Sequence, residues 1–258
     1  LDLSGCHHVA DVSALARCAS LHTLDLTGTP VMNVRALAGC KSLHTLDLSF
    51  CQRITDVNEL AGCASLHTLY LRGCGGVTDV SALAGCASLH TLYLTCCDGI
   101  TDVSALAGCV SLHTLNLDGC RNITDVSALA GCISLHRLNL YDCSGVTDVG
   151  VSKLVNLEKL HTLDLSDCDG ITDVGVSKLV NLEKLHTLNL SCCSDVTDVS
   201  ALAGCASLHT LDLSGCHHVA DVSALARCES LHTLDLNCCY GVTDVSELAR
   251  CASLHTLD

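Results

Sequence analysis

Marking only the apolar positions shows one short phrase returning along the whole chain. Segments such as LHTLDL (residues 21–26) alternate apolar and polar letters, the period of two that predicts a short half-buried strand. Leu24 and Leu26 then face a core, while Thr23 and Asp25 face out. A TDVSAL-like segment follows, in which the Asp can cap the first unpaired amides of a short helical turn that carries the chain back. The phrases start at Leu21, Leu43, Leu66, Leu89, Leu112, Leu135, Leu160, Leu185, Leu208, Leu231 and Leu254, a period of 23 with one unit of 22 and two of 25. Eighteen letters, LDLSGCHHVADVSALARC, stand both at residues 1–18 and at 211–228.

A catalytic centre is assembled once from unlike residues, whereas a period this regular predicts stacked strands and a core shared between neighbouring units. Residues 1–258 therefore read as a single array of about eleven units of 22–25 residues, with no linker. The 25-residue units, carrying DVGVSKLVNLEK at 148–159 and 173–184, have two more residues for the return and room for a full α-turn. The other returns are expected to be tighter, 3₁₀-like turns. The array begins inside a strand phrase and stops at LHTLD, which reads as a fragment lacking both caps.

The unit L-x-x-L-x-L-x-x-C-x-x-[VI]-T-D-V-S-x-L-A-x-C-x-S resembles the leucine-rich repeat, and the resemblance runs the length of the chain. It looks intermediate between the SDS22/internalin-like class, which LHTLDLTGTPVMNVRALAGCKS resembles, and the cysteine-containing class, which the units with Cys followed by ITD or VTD resemble. Cysteine-rich, nearly identical arrays of this kind are similar to trypanosomatid leucine-rich-repeat proteins. The resemblance implies an α/β solenoid, a right-handed superhelix with a parallel β-sheet on its concave face and short 3₁₀ or α turns on its convex face.

Charge narrows the partners. With Lys+Arg 13 against Asp+Glu 28, a formal charge of −15 repels nucleic-acid phosphates and anionic membranes. No apolar run approaches the roughly 20 residues of a membrane helix. The 22 cysteines obey the repeat: ten at position nine, from Cys6 to Cys239, and nine at position 21, from Cys18 to Cys251. Cys96, Cys192 and Cys238 remain, each beside a position-nine cysteine. No C-x-x-C occurs, so packing and thiol hydrogen bonding, not zinc, is the reading. So many reduced thiols point to a cytoplasmic, reducing setting. Eleven histidines at position two, His22 to His255, form an expected row about 4.8 Å apart. Parallel side chains do not converge as a metal needs, so no metal and no cofactor is assigned. The recurring Asp56, Asp79, Asp102 and Asp125 read as caps rather than acids, and no nucleophile or phosphate-loop motif is found, so no catalytic residue is assigned.

What varies between copies lies on the strand face and at its exit, the concave surface in this family. Position five runs Asp2, Asp25, Asp47, Tyr70, Tyr93, Asn116, Asn139, Asp164, Asn189, Asp212, Asp235. Position seven includes Arg72, Asp118 and Tyr141, and position eight Phe50 and Asp142. All five aromatic residues, Phe50, Tyr70, Tyr93, Tyr141 and Tyr240, fall in the variable set, and aromatics with arginine are the usual anchors of protein interfaces. The reading is a non-enzymatic module that binds a protein partner with a basic surface through Phe50, Tyr70, Arg72, Tyr93, Asn116, Asp118, Asn139, Tyr141 and Asp142. Two alternatives stay open: the substrate-recruiting part of a ubiquitin-ligase receptor, implied by the cysteine-containing class, and a structural or engineered consensus-like scaffold without a specific ligand.

Overall fold

The computed structural model describes residues 1–258. They gather into two units, residues 1–123 with 131–135 and residues 124–130 with 136–258. The first holds strands β1 (Thr23–Asp25), β2 (Thr45–Asp47), β3 (Thr68–Tyr70), β4 (Thr91–Tyr93) and β5 (Thr114–Asn116). They are parallel, adjacent in chain order and in matched register, with Leu24 opposite Leu46 and Tyr70 opposite Tyr93. The second holds β6 (Arg137–Asn139), β7 (Thr162–Asp164), β8 (Thr187–Asn189), β9 (Thr210–Asp212), β10 (Thr233–Asp235) and β11 (Thr256–Leu257), paired in the same way. Slipping any strand by one residue would turn its leucines out of the core, so the repeat itself fixes the register. Leu24, Leu26, Leu46 and Leu48 are wholly buried, as the alternation predicts. Thr23 is exposed, but Asp25 is only half-exposed: neighbouring rungs cover it, and its carboxylate folds back to accept the Thr27 N–H at 2.8 Å.

The 23-residue returns are 3₁₀ turns such as Asn58–Gly62, Ser81–Gly85 and Ser104–Gly108. In each, the Asp accepts the first backbone N–H of the turn: Asn58 on Asp56 and Ser127 on Asp125 at 2.8 Å, Ser81 on Asp79 and Ser104 on Asp102 at 2.7 Å. The aspartates thus satisfy the first amide of each turn, as the sequence predicts, but from one residue before the N-cap, which is a valine such as Val57 or Val80. The 25-residue returns do contain α-turns, α1 (Asp148–Val151) and α2 (Asp173–Lys178). Here the carboxylates reach into the following repeat. Asp148 accepts the Thr172 N–H at 2.9 Å and hydroxyl at 2.6 Å; Asp173 accepts the Thr197 N–H and hydroxyl, both at 2.7 Å, and the Asp198 N–H at 2.9 Å. Gly175 makes this possible, because a Cβ there would strike the Asp148 carboxylate.

Both interior cysteine rows are hydrogen-bonded. Position-nine thiols donate to the leucine carbonyl just past the strand of the preceding repeat, Cys74 to Leu48 and Cys97 to Leu71 at 3.0 Å, Cys193 to Leu165 at 3.1 Å. Position-21 thiols such as Cys63 and Cys86 donate to a leucine carbonyl of the preceding return, Cys63 to Leu37 at 3.3 Å and Cys86 to Leu60 at 3.2 Å. Burial pushes thiols such as Cys74, Cys120, Cys168 and Cys216 up to about 12, so they remain protonated donors at neutral pH. No helix is long and apolar enough to cross a membrane.

Candidate functional site

On the strand face of the first unit, six of the nine sequence-selected residues line one groove of about 430 Å³: Phe50, Tyr70, Arg72, Tyr93, Asn116 and Asp118. Position five supplies its floor. The Tyr70 and Tyr93 rings stack with centroids 5.0 Å apart, 19° from parallel, because their strands are neighbours in register. Burial, then Tyr93 and then Asp47, raise the Tyr70 hydroxyl above its ordinary pKa, so it stays a neutral donor. Beside them Asn116 accepts the Thr95 hydroxyl at 3.0 Å and the Asp118 N–H at 2.9 Å, which fixes its amide oxygen. Asn139, Tyr141 and Asp142 belong to the second unit, on β6 and its exit turn. There the Asn139 side chain accepts the Tyr141 N–H at 2.8 Å, and Tyr141 is exposed.

Position eight carries information that sequence reasoning missed. Every residue there turns left-handed: Gly5, Gly28, Gly73, Gly119 and Gly215, but also Phe50 (φ 60), Cys96, Asp142, Asp167, Cys192 and Cys238. For a bulky L-residue that conformation costs about 1–2 kcal/mol. The signal was available, since glycine stands at position eight in five copies. Phe50 is nonetheless 48% exposed. Its ring lies across Gly73, where a Cβ would come within 2.8 Å of Cδ1, and Arg72 sits over the ring with its guanidinium carbon 5.6 Å from the centroid. Glycine in the next repeat thus leaves space for the ring, and arginine holds it.

The position-two histidines stack into columns. In the first unit His22, His44, His67, His90 and His113 have centroids 4.5–4.8 Å apart and planes within 11°. In the second, His136 to His255 stack at 4.3–5.5 Å. Parallel rings hold their nitrogens side by side, and no three His, Cys, Asp or Glu side chains group as metal ligands. Nδ1 of His209 lies 2.7 Å from the Ser207 carbonyl and that of His232 2.6 Å from the Ser230 carbonyl, so there Nδ1 carries the proton. Burial and then the neighbouring rings lower the pKa of His44 and His67.

No curated protein matches the chain. Among solved structures, an internalin (inlF) from Listeria monocytogenes superposes with TM-score 0.73 at 22% identity, over 96% of this chain and 77% of that one. A leucine-rich-repeat protein of Leptospira interrogans gives 0.53 at 15%, covering 100% and 83%. The functional domain of InlJ from Listeria monocytogenes, described as including a cysteine ladder, gives 0.62 at 18%, covering 100% and 58%. These likenesses speak for the fold. The family described as Leucine Rich repeats (2 copies) matches residues 19–62, 41–85, 87–131 and 183–227, and Leucine Rich repeat matches 131–155 and 156–180. With one parallel strand and one short return turn per repeat, and with those matches spanning well over half its length, the chain belongs to the leucine-rich-repeat family.

Proposed function

We propose that this protein binds another protein through its strand face, with the energetic centre in the groove of the first unit. Leucine-rich repeats are commonly interaction modules, and the feature that supports a specific surface here is Phe50. A large aromatic ring sits exposed in a left-handed turn where five other copies have glycine, and folding alone gives no reason to keep it there. Exposed aromatics beside an arginine are the composition of interface hot spots. The Asp25 and Asp47 carboxylates on neighbouring rungs add a negative field, which favours a partner with a basic surface and a salt-sensitive association rate. The reading assigns no catalytic residue. A reducing compartment suits the exposed thiols of Cys96, Cys192 and Cys238.

The test is quantitative affinity capture with the parent, Tyr70→Ala, Tyr93→Ala and the return-side control Lys153→Ala. A partner bound by the parent and the Lys153 variant should lose about 30-fold in affinity, roughly 2 kcal/mol, in each tyrosine variant. Equal binding by all four proteins would move the site off this groove.

A further inference from the structure

Resting on that reading, we infer that the groove recognises a carboxylate carried on an extended, otherwise basic peptide segment. The key group is Arg72. It is the one Arg or Lys at positions five, seven and eight of the first five strand phrases, where Asp25, Asp47 and Asp118 also stand. It forms no ion pair with Asp25 or Asp47. Asp25 and Asp47 each hold a backbone amide two residues on, from Thr27 and Ser49, at 2.8 Å. The Arg72 side chain contacts the Phe50 ring and makes no hydrogen bond or ion pair inside the protein. A cation–π contact positions a guanidinium while leaving its N–H donors unused. The hydroxyls of Tyr70 and Tyr93 likewise have no internal partner, so one arginine fork and two phenol groups open on the same groove. Such donors suit an anion with planar, two-point geometry.

Charge decides which anion. A phosphate, near −2 at neutral pH, would meet repulsion from Asp25 and Asp47, whereas a carboxylate brings half that charge. The same acids specify the rest of the segment. Asp25 on β1 lies two rungs from the Arg72 repeat. Two rungs are about 9.6 Å, the length of about three residues of extended chain. A peptide crossing the strands would therefore place its acid on Arg72 and a Lys or Arg about three residues away, toward Asp25. The carboxylate can belong to an Asp or Glu side chain or to a chain terminus.

Two random dodecapeptide display libraries, one with a blocked and one with an exposed C-terminus, are panned on the intact chain. Winners are synthesised and titrated against the parent, Arg72→Gln, Arg72→Lys and Tyr70→Ala, with melting curves confirming that each variant folds. The inference expects Asp or Glu with basic residues about three places away in the blocked library, or a basic segment ending at a terminal carboxylate in the other. It also expects at least a tenfold loss on replacing that carboxyl by its amide, a similar loss in Arg72→Gln, and only partial recovery in Arg72→Lys. Winners that need Tyr70 but carry no carboxylate, or ignore Arg72→Gln, would overturn this inference and leave the groove reading standing. Winners indifferent to both Tyr70 and Arg72 would overturn both.

Discussion

The 23-residue repeats of the first unit and the two 25-residue repeats of the second share the strand phrase and the letters TDV, but they connect their rungs differently. In the first, Asp79 serves its own return turn, and the position before the next strand is a hydrogen-bonding thiol, such as Cys86. In the second, Asp148 and Asp173 hold the following repeat, and the matching core position is hydrocarbon, Leu157 or Leu182. Two inserted residues lengthen the return into an α-turn and swing the carboxylate off its own amide. A repeat's letters thus determine its bonds only together with its length.

The largest expected effect tests the core position. Leu157→Ala removes three buried carbons and should cost about 3 kcal/mol, whereas Cys86→Ala should cost about 1 kcal/mol, because the Leu60 carbonyl keeps the Cys63 N–H at 2.8 Å. Equal losses in denaturant titrations would erase the distinction between the two cores.

Next come the carboxylates. Asp173→Ala strips three donors of their acceptor and should cost about 2 kcal/mol, against about 1 kcal/mol for Asp79→Ala. Burial pushes the Asp173 carboxyl up, but hydrogen bonds from Asp198 and Thr197 outweigh it and hold the pKa below the usual value. A depressed folded pKa means the stabilisation is present above the unfolded value near 4 and is lost as pH falls through the folded one. Acid melts of Asp173→Ala should therefore be flatter below about pH 4 than those of the parent.

Position eight supplies a change of opposite sign. Phe50→Gly should stabilise the first unit by up to about 1 kcal/mol by relieving the left-handed turn, while weakening partner binding. In the second unit Asp142, Asp167 and Cys192 follow one another there without an intervening glycine, and their small side chains can do so where a phenyl ring could not. Gly73→Ala should break the first arrangement by driving a methyl into the Phe50 ring. A parent that melts above Phe50→Gly would show that the ring serves the fold instead.

The smallest effect is expected from the histidine column. Folded pKa values of His44 and His67 lie below the unfolded value near 6.5, so the unfolded chain binds more protons in mild acid. Stability should be intact above pH 6.5 and decline as pH drops toward those lowered values, by a few tenths of a kcal/mol for such accessible rings. Proton titration of these imidazoles by NMR, with and without Phe50→Gly as a remote control, measures it.

Strand, core and capping assignments were legible because they depend on local alternation and on letters repeated at fixed spacing. Leu24 and Leu26, Asp56 and Asp79, and the α-turns of the longer repeats all stand where the letters put them. The stacking of Tyr70 on Tyr93 was not read from the letters, although the shared register of β3 and β4 produces it. Illegible were the features that depend on backbone handedness or on the exact reach of a side chain. Phe50 looked like any variable residue until its φ was known, and Asp173 carries the same TDV letters as Asp79.

The stacked imidazoles also bear on how copies of the protein behave toward one another. At neutral pH the formal charge is −15, and the chain has fifteen histidines, so charging all of them would bring the net charge to zero. That neutrality would be uneven, since His209 and His232 stand at position two of phrases whose position five is Asp212 and Asp235, whereas position five beside His67 and His90 is Tyr70 and Tyr93. A surface with imidazolium cations beside carboxylates can meet the same surface of another copy with opposite charges in contact. Mild acid should therefore cloud a concentrated solution, and added salt, by screening those contacts, should clear it.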